Sequence, residues 1–376
     1  MPDPLDVLLV APYYGGSHRA WADGYARHSR HAVRLVTMPA RFWKWRMHGG
    51  AVTLTARLRE QGEDTPDIVL ATDMVNVPAL LALARRELAQ VPVVLYCHEN
   101  QLTYPLQDGE RLDFAFPMIN WLSMLTADCV LFNSEFHRDD WFGALPSFLK
   151  AFPDFTHTRL MPAVVKKSRV LPVGITLEPL DAARPQAEAS VDAPPLVLWN
   201  QRWEYDKDPA TFFRALRELV ARGLPFRVAL AGANVRQAPE EFEAAREWLG
   251  NRIVHYGRAD RATYQRLLWE ADIVVSTAYH EFFGIAVVEA IYCQTFPLLP
   301  NRLAYPELLP EAFHAPCLYR DFDGLVEGLC RALTEPGRVR TISQALRPSM
   351  ARFAWTAIAP HYDRLLAEIS GIPALT

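Results

Sequence analysis

Two short stretches carry residues whose types and spacing suit phosphate and sugar chemistry. The first is RWEYDK at 202–207, directly after the apolar run PPLVLW. Arg202 and Lys207, five positions apart behind a strand, can both bend toward an anion at the strand's end. Arginine offers a planar fork of donors and lysine a point charge. A diphosphate leaving a sugar gains negative charge as the bond breaks, and fixed cations stabilise that charge in the transition state. The plain alternative is a set of surface ion pairs with Glu204, Asp206 and Asp208. The second stretch is HEFFGIAVVEA at 280–290. Gly284 marks the start of a helix, so Glu281 lies in the loop and Glu289 on the helix. One carboxylate can meet a sugar ring, and the other can accept both hydroxyls of a ribose. Backbone N–H groups around Phe283, Gly284 and Ile285 point at phosphate. The alternative is an ordinary loop acid and an ordinary helix-surface acid.

A third candidate is YYGGSH at 13–18. Gly15 and Gly16 let backbone approach a ligand before the next helix begins, although the full GxGxxG pattern is absent and many such turns are only turns. Other chemistries fit less well. His98–Glu99 lacks the HExxH continuation of a zinc site. In DFD at 321–323, Asp323 reads as a helix N-cap rather than a metal ligand. Ser134 lacks a nucleophile elbow. No metal and no resident cofactor is expected.

The elements that must hold these residues alternate between strand and helix. DVLLVAP, AVRLVTMP (32–39), DIVLATD (67–73), VPVVLYCHE (91–99) and DCVLFNS (128–134) are apolar runs that end in polar residues. Helical segments such as PALLALARRELA (78–89) lie between them. This predicts a parallel, doubly wound α/β sheet. After a Pro-, Ala- and acid-rich stretch the pattern restarts with PLVLWN, FRVALAG, RIVHYG, DIVVSTA and TFPLLP. The segment DPATFFRALRELVARG reads as a helix opened by Asp208–Pro209 and closed by Gly223. Four parts are expected: an acceptor domain over 1–175, a linker over 176–195, a donor domain over 196–352, and a closing helix over 353–376 that returns to the first domain. Ligands of such sheets sit beyond the carboxyl ends of the strands.

The chain has 376 residues, half of them hydrophobic, and a net charge of −4. No apolar run is long enough to span a bilayer. The opening residues run straight into a strand, which predicts no secretory leader. Five cysteines without CxxC spacing predict a reduced, cytoplasmic protein. The charge is unevenly spread. Between Asp23 and Glu60 there is no acid but there are eight cations: Arg27, Arg30, Arg34, Arg41, Lys44, Arg46, Arg57 and Arg59. A second acid-free stretch, 155–177, carries Arg159, Lys166, Lys167 and Arg169. A solvated face is the plain explanation. Aromatics interleaved with cations in RFWKWRMH suit stacked bases and phosphates as well.

The order of these motifs resembles the retaining glycosyltransferases of the GT-B fold, with EADIVVSTAYHEFFGIAVVEAIYCQTFPLLP similar throughout to their donor-site signature. Gln294 stands where that pattern usually has glycine. YGGSH, WKWR, HENQLTYP (98–105), FNSEF (132–136), RWEYDKDP and HEFFGIAVVEA together resemble the tRNA-queuosine mannosyltransferase family over about residues 6–365. The resemblance implies two Rossmann-like domains across a cleft. It implies transfer of mannose from GDP-mannose, with retention, to the cyclopentenediol of queuosine at the wobble position of tRNA-Asp. It assigns the diphosphate to Arg202 and Lys207, the ribose to Glu289, and the donor sugar to Glu281 and His98. Gly15 and Gly16 take phosphate or acceptor, and Tyr256 the guanine. His18, Trp43, Lys44, Trp45, Arg46, Asn100, Tyr104, Lys166 and Lys167 form the acceptor set, with Trp43, Trp45 and Tyr104 stacking on or flanking a splayed base. No membrane and no obligate protein partner is implied. Two other readings stay open: a GT-B enzyme acting on a lipid or small metabolite, and a nucleotide- or tRNA-binding module without turnover. A membrane acceptor would favour an amphipathic basic helix, and the paired Arg202, Lys207, Glu281 and Glu289 argue for turnover.

Overall fold

The structure is a computed structural model that describes residues 4–62, 64–106, 109–185, 193–232 and 240–371. The chain falls into two compact units. One runs to Ile175 and takes in the residues from Phe353 onward; the other is Thr176–Arg352.

The first unit is built on a six-stranded parallel sheet. Its strands are β1 (Asp6–Tyr14), β2 (Ala32–Pro39), β3 (Ile68–Thr72), β4 (Val93–Cys97), β5 (Cys129–Phe132) and β6 (Ser168–Val170). Their spatial order is β2-β1-β3-β4-β5-β6. Every residue of β3, β4 and β5 is buried, as expected of strands covered by helices on both faces. β1 lies between β2 and β3, with Val7 opposite both Val33 and Ile68. The chain therefore reverses its direction across the sheet between β1 and β3, which opens a crevice at their carboxyl ends. The helix Trp355–Ser370 belongs to this unit. Trp355 is fully buried, Trp21 Nε1 donates to Tyr362 Oη at 3.1 Å, and Tyr25 Oη donates to Asp363 Oδ1 at 2.9 Å.

The second unit repeats the plan with β7 (Leu196–Trp199), β8 (Arg227–Leu230), β9 (Ile253–Tyr256), β10 (Ile273–Val275), β11 (Phe296–Pro300) and β12 (Leu318–Tyr319). The order is β12-β11-β10-β7-β8-β9, all parallel. Here the reversal falls between β7 and β10. Leu198 pairs with Val274 on one side and Ala229 on the other. The helix after β7, Pro209–Ala221, is capped by the Asp208 side chain, which accepts from Thr211 N at 3.2 Å.

Three features differ from expectation. Residues 176–185 are folded: Glu178–Ala182 is a helix, Asp181 pairs with Arg347, and Trp269 Nε1 donates to Leu180 O at 2.7 Å. Of the remaining expected linker, 186–192 lie outside the described residues, and Pro194 O accepts from Arg227 Nε at 2.9 Å. The helix Phe322–Thr334 is capped by Asp321, not Asp323: Asp321 Oδ1 accepts from Gly324 N at 2.8 Å. β6 and β12 are edge strands of three and two residues, too short to register as apolar runs.

Candidate active site

Arg202, Lys207 and Glu281 come together at the reversal point of the second sheet. The loop after β7 and the loop after β10 are tied to each other along their backbones. Thr277 Oγ1 donates to Lys207 O at 2.9 Å and to Asp208 O at 2.8 Å, and Tyr279 N donates to Asp206 O at 3.1 Å. A turn of 3-10 helix, Tyr205–Lys207, swings Lys207 inward, where its side chain is only 7 % exposed. Its Nζ donates to His280 O at 2.7 Å and lies 3.1 Å from Asp206 Oδ2 and 3.3 Å from Glu281 Oε2. Burial alone would lower the lysine's pKa; Glu281 and Asp206 outweigh it and hold it above the ordinary value. Burial would likewise raise Glu281, but Lys207 and the Phe283 N–H, 3.3 Å from Oε1, bring it below the ordinary glutamate value. The pair is ionised at neutral pH. His280, desolvated and beside Lys207, falls to about 4 and stays neutral there.

Arg202 differs from Lys207. Its side chain is 46 % exposed, with Nη1 2.6 Å from Glu204 Oε2 and Nη2 3.9 Å from Asp206 Oδ2. The ion pairs with Glu204 and Asp206 form, and through Asp206 they link the two cations into one cluster.

Gly284 opens the helix Ile285–Tyr292 with φ 103° and ψ 48°, a left-handed conformation that favours glycine. On that helix Glu289 accepts from Tyr264 Oη at 2.8 Å through Oε2. Burial raises its pKa above the ordinary glutamate value despite that bond. Gln294 sits at φ 65° just past the helix, so the position where glycine was expected does take the left-handed conformation. Tyr256 reaches the cluster's neighbourhood through Trp203, the residue after Arg202. It ends β9 on the sheet's edge, donates its hydroxyl to Glu243 Oε1 at 2.9 Å, and packs edge-on against Trp203 at 4.8 Å. Its half-buried ring is part of the aromatic packing of this unit.

In the first unit, His98 follows β4 and its backbone N donates to Asp73 Oδ1, just past β3, at 2.9 Å. Its ring lies 4.5 Å from His18, 4.7 Å from Trp21 and 4.8 Å from Tyr96. Nε2 is buried with no hydrogen-bond partner among the described residues. Burial, then the neighbouring His18 and His137, push the His98 pKa well below normal, and burial takes His18 to about 4. Both imidazoles are therefore neutral at neutral pH. Gly15 is glycine for a local reason: an added Cβ would stand 2.5 Å from Ala40 Cβ. Gly16, at φ 52°, opens onto free space.

The acceptor set is split by the structure. Asn100 is 0 % exposed, and its Oδ1 accepts from Leu102 N and Thr103 N at 3.0 and 2.9 Å. It shapes its own loop and cannot contact RNA directly. Lys167 donates its ammonium to Leu125 O at 2.9 Å and to Ala127 O, capping the helix Ala115–Thr126, and burial lowers its pKa. It too is a structural residue. Trp43 packs on Phe116 at 4.9 Å. Trp45, by contrast, is 63 % exposed and the neighbouring Phe42 78 %. Lys44 lies over Trp43 at 5.6 Å, Lys166 is exposed, and Tyr104 is half-buried. Arg46 donates to Pro39 O at 3.2 Å. The acid-free stretch is partly neutralised by acids outside it: Arg34 pairs with Asp6 at 2.8 Å and Arg59 with Glu87 at 2.7 Å.

Asp73, Trp21, Tyr264 and Asn200 belong to these sites and were missed. The first and last stand at carboxyl ends of strands, a signal that could have found them; the other two are helix residues with no mark in sequence. No group of three or more His, Cys, Asp or Glu among the described residues is arranged to hold a metal. None of the described helices is long and apolar enough to cross a membrane.

Two parallel six-stranded sheets, each with a polar site at its reversal point, are the architecture of the GT-B fold. Solved structures agree on the fold. Sucrose-phosphate synthase from Thermosynechococcus elongatus superposes with a TM-score of 0.73 at 17 % identity, covering 98 % of this chain and 100 % of that one. Anabaena HepE in complex with UDP gives 0.68 at 16 % identity, covering 97 % and 100 %. Residues 182–346 match the family described as glycosyl transferases group 1, and residues 6–175 match the N-terminal part of tRNA-queuosine alpha-mannosyltransferase. The Drosophila melanogaster tRNA-queuosine alpha-mannosyltransferase is 33 % identical over 311 residues, 81 % of this chain and 82 % of that protein. The chain belongs to the tRNA-queuosine alpha-mannosyltransferase family and is a hexosyltransferase.

Proposed function

We propose that the protein transfers mannose from GDP-mannose, with retention, to the cyclopentenediol of queuosine at the wobble position of tRNA-Asp, in the cytoplasm. The observation that carries this reading is the buried Lys207 ammonium, held between Asp206 and Glu281 at the reversal point of the second sheet, in a chain of this family. Arg202 and Lys207 bind the diphosphate, Glu289 the ribose, and Glu281 the sugar hydroxyls. The bond from the sugar's C1 to the diphosphate oxygen breaks. A bond from C1 to an acceptor hydroxyl forms on the same face, and the hydroxyl's proton passes to the departing phosphate oxygen. No separate base and no metal enters this scheme. Glu281 suits a hydrogen-bonding role because Lys207 keeps it ionised. The cytoplasmic assignment is supported by five free cysteines, four of them buried.

On the acceptor side, Trp45 and Phe42 offer exposed aromatic faces beside Lys44 and Arg41, a combination that suits unstacked bases and phosphates. A donor comparison tests the reading. Incubation with queuosine-containing tRNA and either GDP-mannose or UDP-galactose, then nucleoside mass analysis before and after α-mannosidase, should show a hexose added from GDP-mannose alone and removed by the enzyme. Addition from UDP-galactose, or a product that resists α-mannosidase, would contradict it.

A further inference from the structure

We propose that Tyr264 sets the preference of the nucleotide site for ribose over deoxyribose by fixing the carboxylate of Glu289, an inference that rests on the reading of Glu289 as the ribose acceptor. The two residues sit on neighbouring helices, Arg261–Glu270 and Ile285–Tyr292. Tyr264 Oη donates to Glu289 Oε2 at 2.8 Å. The phenol is itself held: Asn200, directly after β7, offers Nδ2 to Tyr264 Oη at 3.4 Å and to Ala286 O at 2.8 Å. Ala286 belongs to the helix that carries Glu289. The chain Asn200–Tyr264–Glu289 therefore closes back on that helix and fixes the plane of the carboxylate.

A phenol has one proton to donate, and Tyr264 gives it to Oε2. Oε1 and the second lone pair of Oε2 remain for a ligand. That matches the two donors of a vicinal diol. With the carboxylate plane fixed, a ligand lacking one hydroxyl leaves a desolvated acceptor unpaired, which is how a polar site rejects an analogue. A carboxylate free to rotate would turn the unused oxygen toward water and discriminate less. Burial works against ionisation of Glu289, and the Tyr264 bond and Arg261 oppose that effect. The phenol thus also favours the charge state that accepts both hydroxyls. Tyr264 acts through Glu289 and is a positioning residue.

The test compares GDP-mannose with 2′-deoxy-GDP-mannose as donors for wild type, Tyr264→Phe and Glu289→Ala, with queuosine-containing tRNA fixed and saturating. The ratio of kcat/KM for the two donors does not depend on how much of a preparation is folded, so partial loss of a variant does not obscure it. Wild type should prefer the ribose donor by about 10- to 100-fold. Tyr264→Phe, which keeps the ring, should lose about tenfold of that preference through KM with kcat nearly unchanged. Glu289→Ala should abolish the preference. A Tyr264→Phe ratio equal to wild type, with Glu289→Ala having lost it, overturns the role of Tyr264 alone. A preference that survives Glu289→Ala overturns the ribose assignment beneath it.

Discussion

Replacing Arg202 and Lys207 separately distinguishes ligand contact from structural pairing, because the two cations sit in different environments. Arg202→Gln removes a guanidinium that is half exposed and pairs with Glu204 at 2.6 Å. Pairs of that exposure contribute about 0.2–1 kcal/mol. The melting temperature should drop by no more than about 4 °C. Lys207→Met removes the charge that holds Asp206, 0 % exposed, and the Glu281 carboxylate. Breaking a buried pair from one side costs about 3–5 kcal/mol, so this variant should melt roughly 6–20 °C lower. Both should lose about 10²–10³ in kcat, by analogy with removal of one transition-state donor. The assay is the initial rate of sugar transfer at saturating donor, run near 15 °C so that Lys207→Met stays folded, beside calorimetric melting of each variant. The result that would refute the reasoning is an Arg202→Gln enzyme within about threefold of wild type. The guanidinium would then serve only its ion pairs. An unchanged melting temperature for Lys207→Met would refute the account of the buried cluster.

Other consequences follow from the same geometry. Trp45→Ala should weaken tRNA binding about 5- to 150-fold, the loss of one stacked base, with little effect on melting; Trp43→Ala should mainly lower the melting temperature, because that ring packs on Phe116. Filter binding and calorimetry check the pair, and an exchange of the two phenotypes would refute the assignment. Burial raises the Glu289 pKa, and the ionised form is the one that accepts both ribose hydroxyls. The donor KM should therefore climb as pH falls, starting above the ordinary glutamate range, and Glu289→Gln should flatten that limb of the KM profile. Gln294→Gly relieves a left-handed residue at φ 65°. The strain of about 1–2 kcal/mol is partly offset by glycine's greater chain entropy, so the net gain is on the order of 1 kcal/mol and the melting point rises a few degrees.

Strand runs such as IVLAT and LVLW were legible because strands buried on both faces have no polar alternation. The cluster at Arg202, Lys207 and Glu281 was legible for a related reason: each motif directly follows a strand, and strand ends converge at the sheet's reversal point. What sequence does not carry is the partner of a polar side chain. Asn100 and Lys167 have the composition of an RNA contact, but nearby backbone groups take their hydrogen bonds. Tyr256 likewise gives its hydroxyl to Glu243, a partner on a helix that its own strand does not announce. Asp321 rather than Asp323 caps its helix because the cap must precede the first helical residue, Phe322. Tyr264 was invisible because its role depends on a glutamate 25 positions away on another helix.

The most direct measurement of the central claim is the mass of tRNA nucleosides after incubation with GDP-mannose, using one tRNA-Asp preparation that contains queuosine and one that carries guanosine at the wobble position. The account predicts queuosine gaining one hexose in the first and no hexose anywhere in the second. Sugar appearing on both, or on neither while GDP-mannose is consumed, would contradict it.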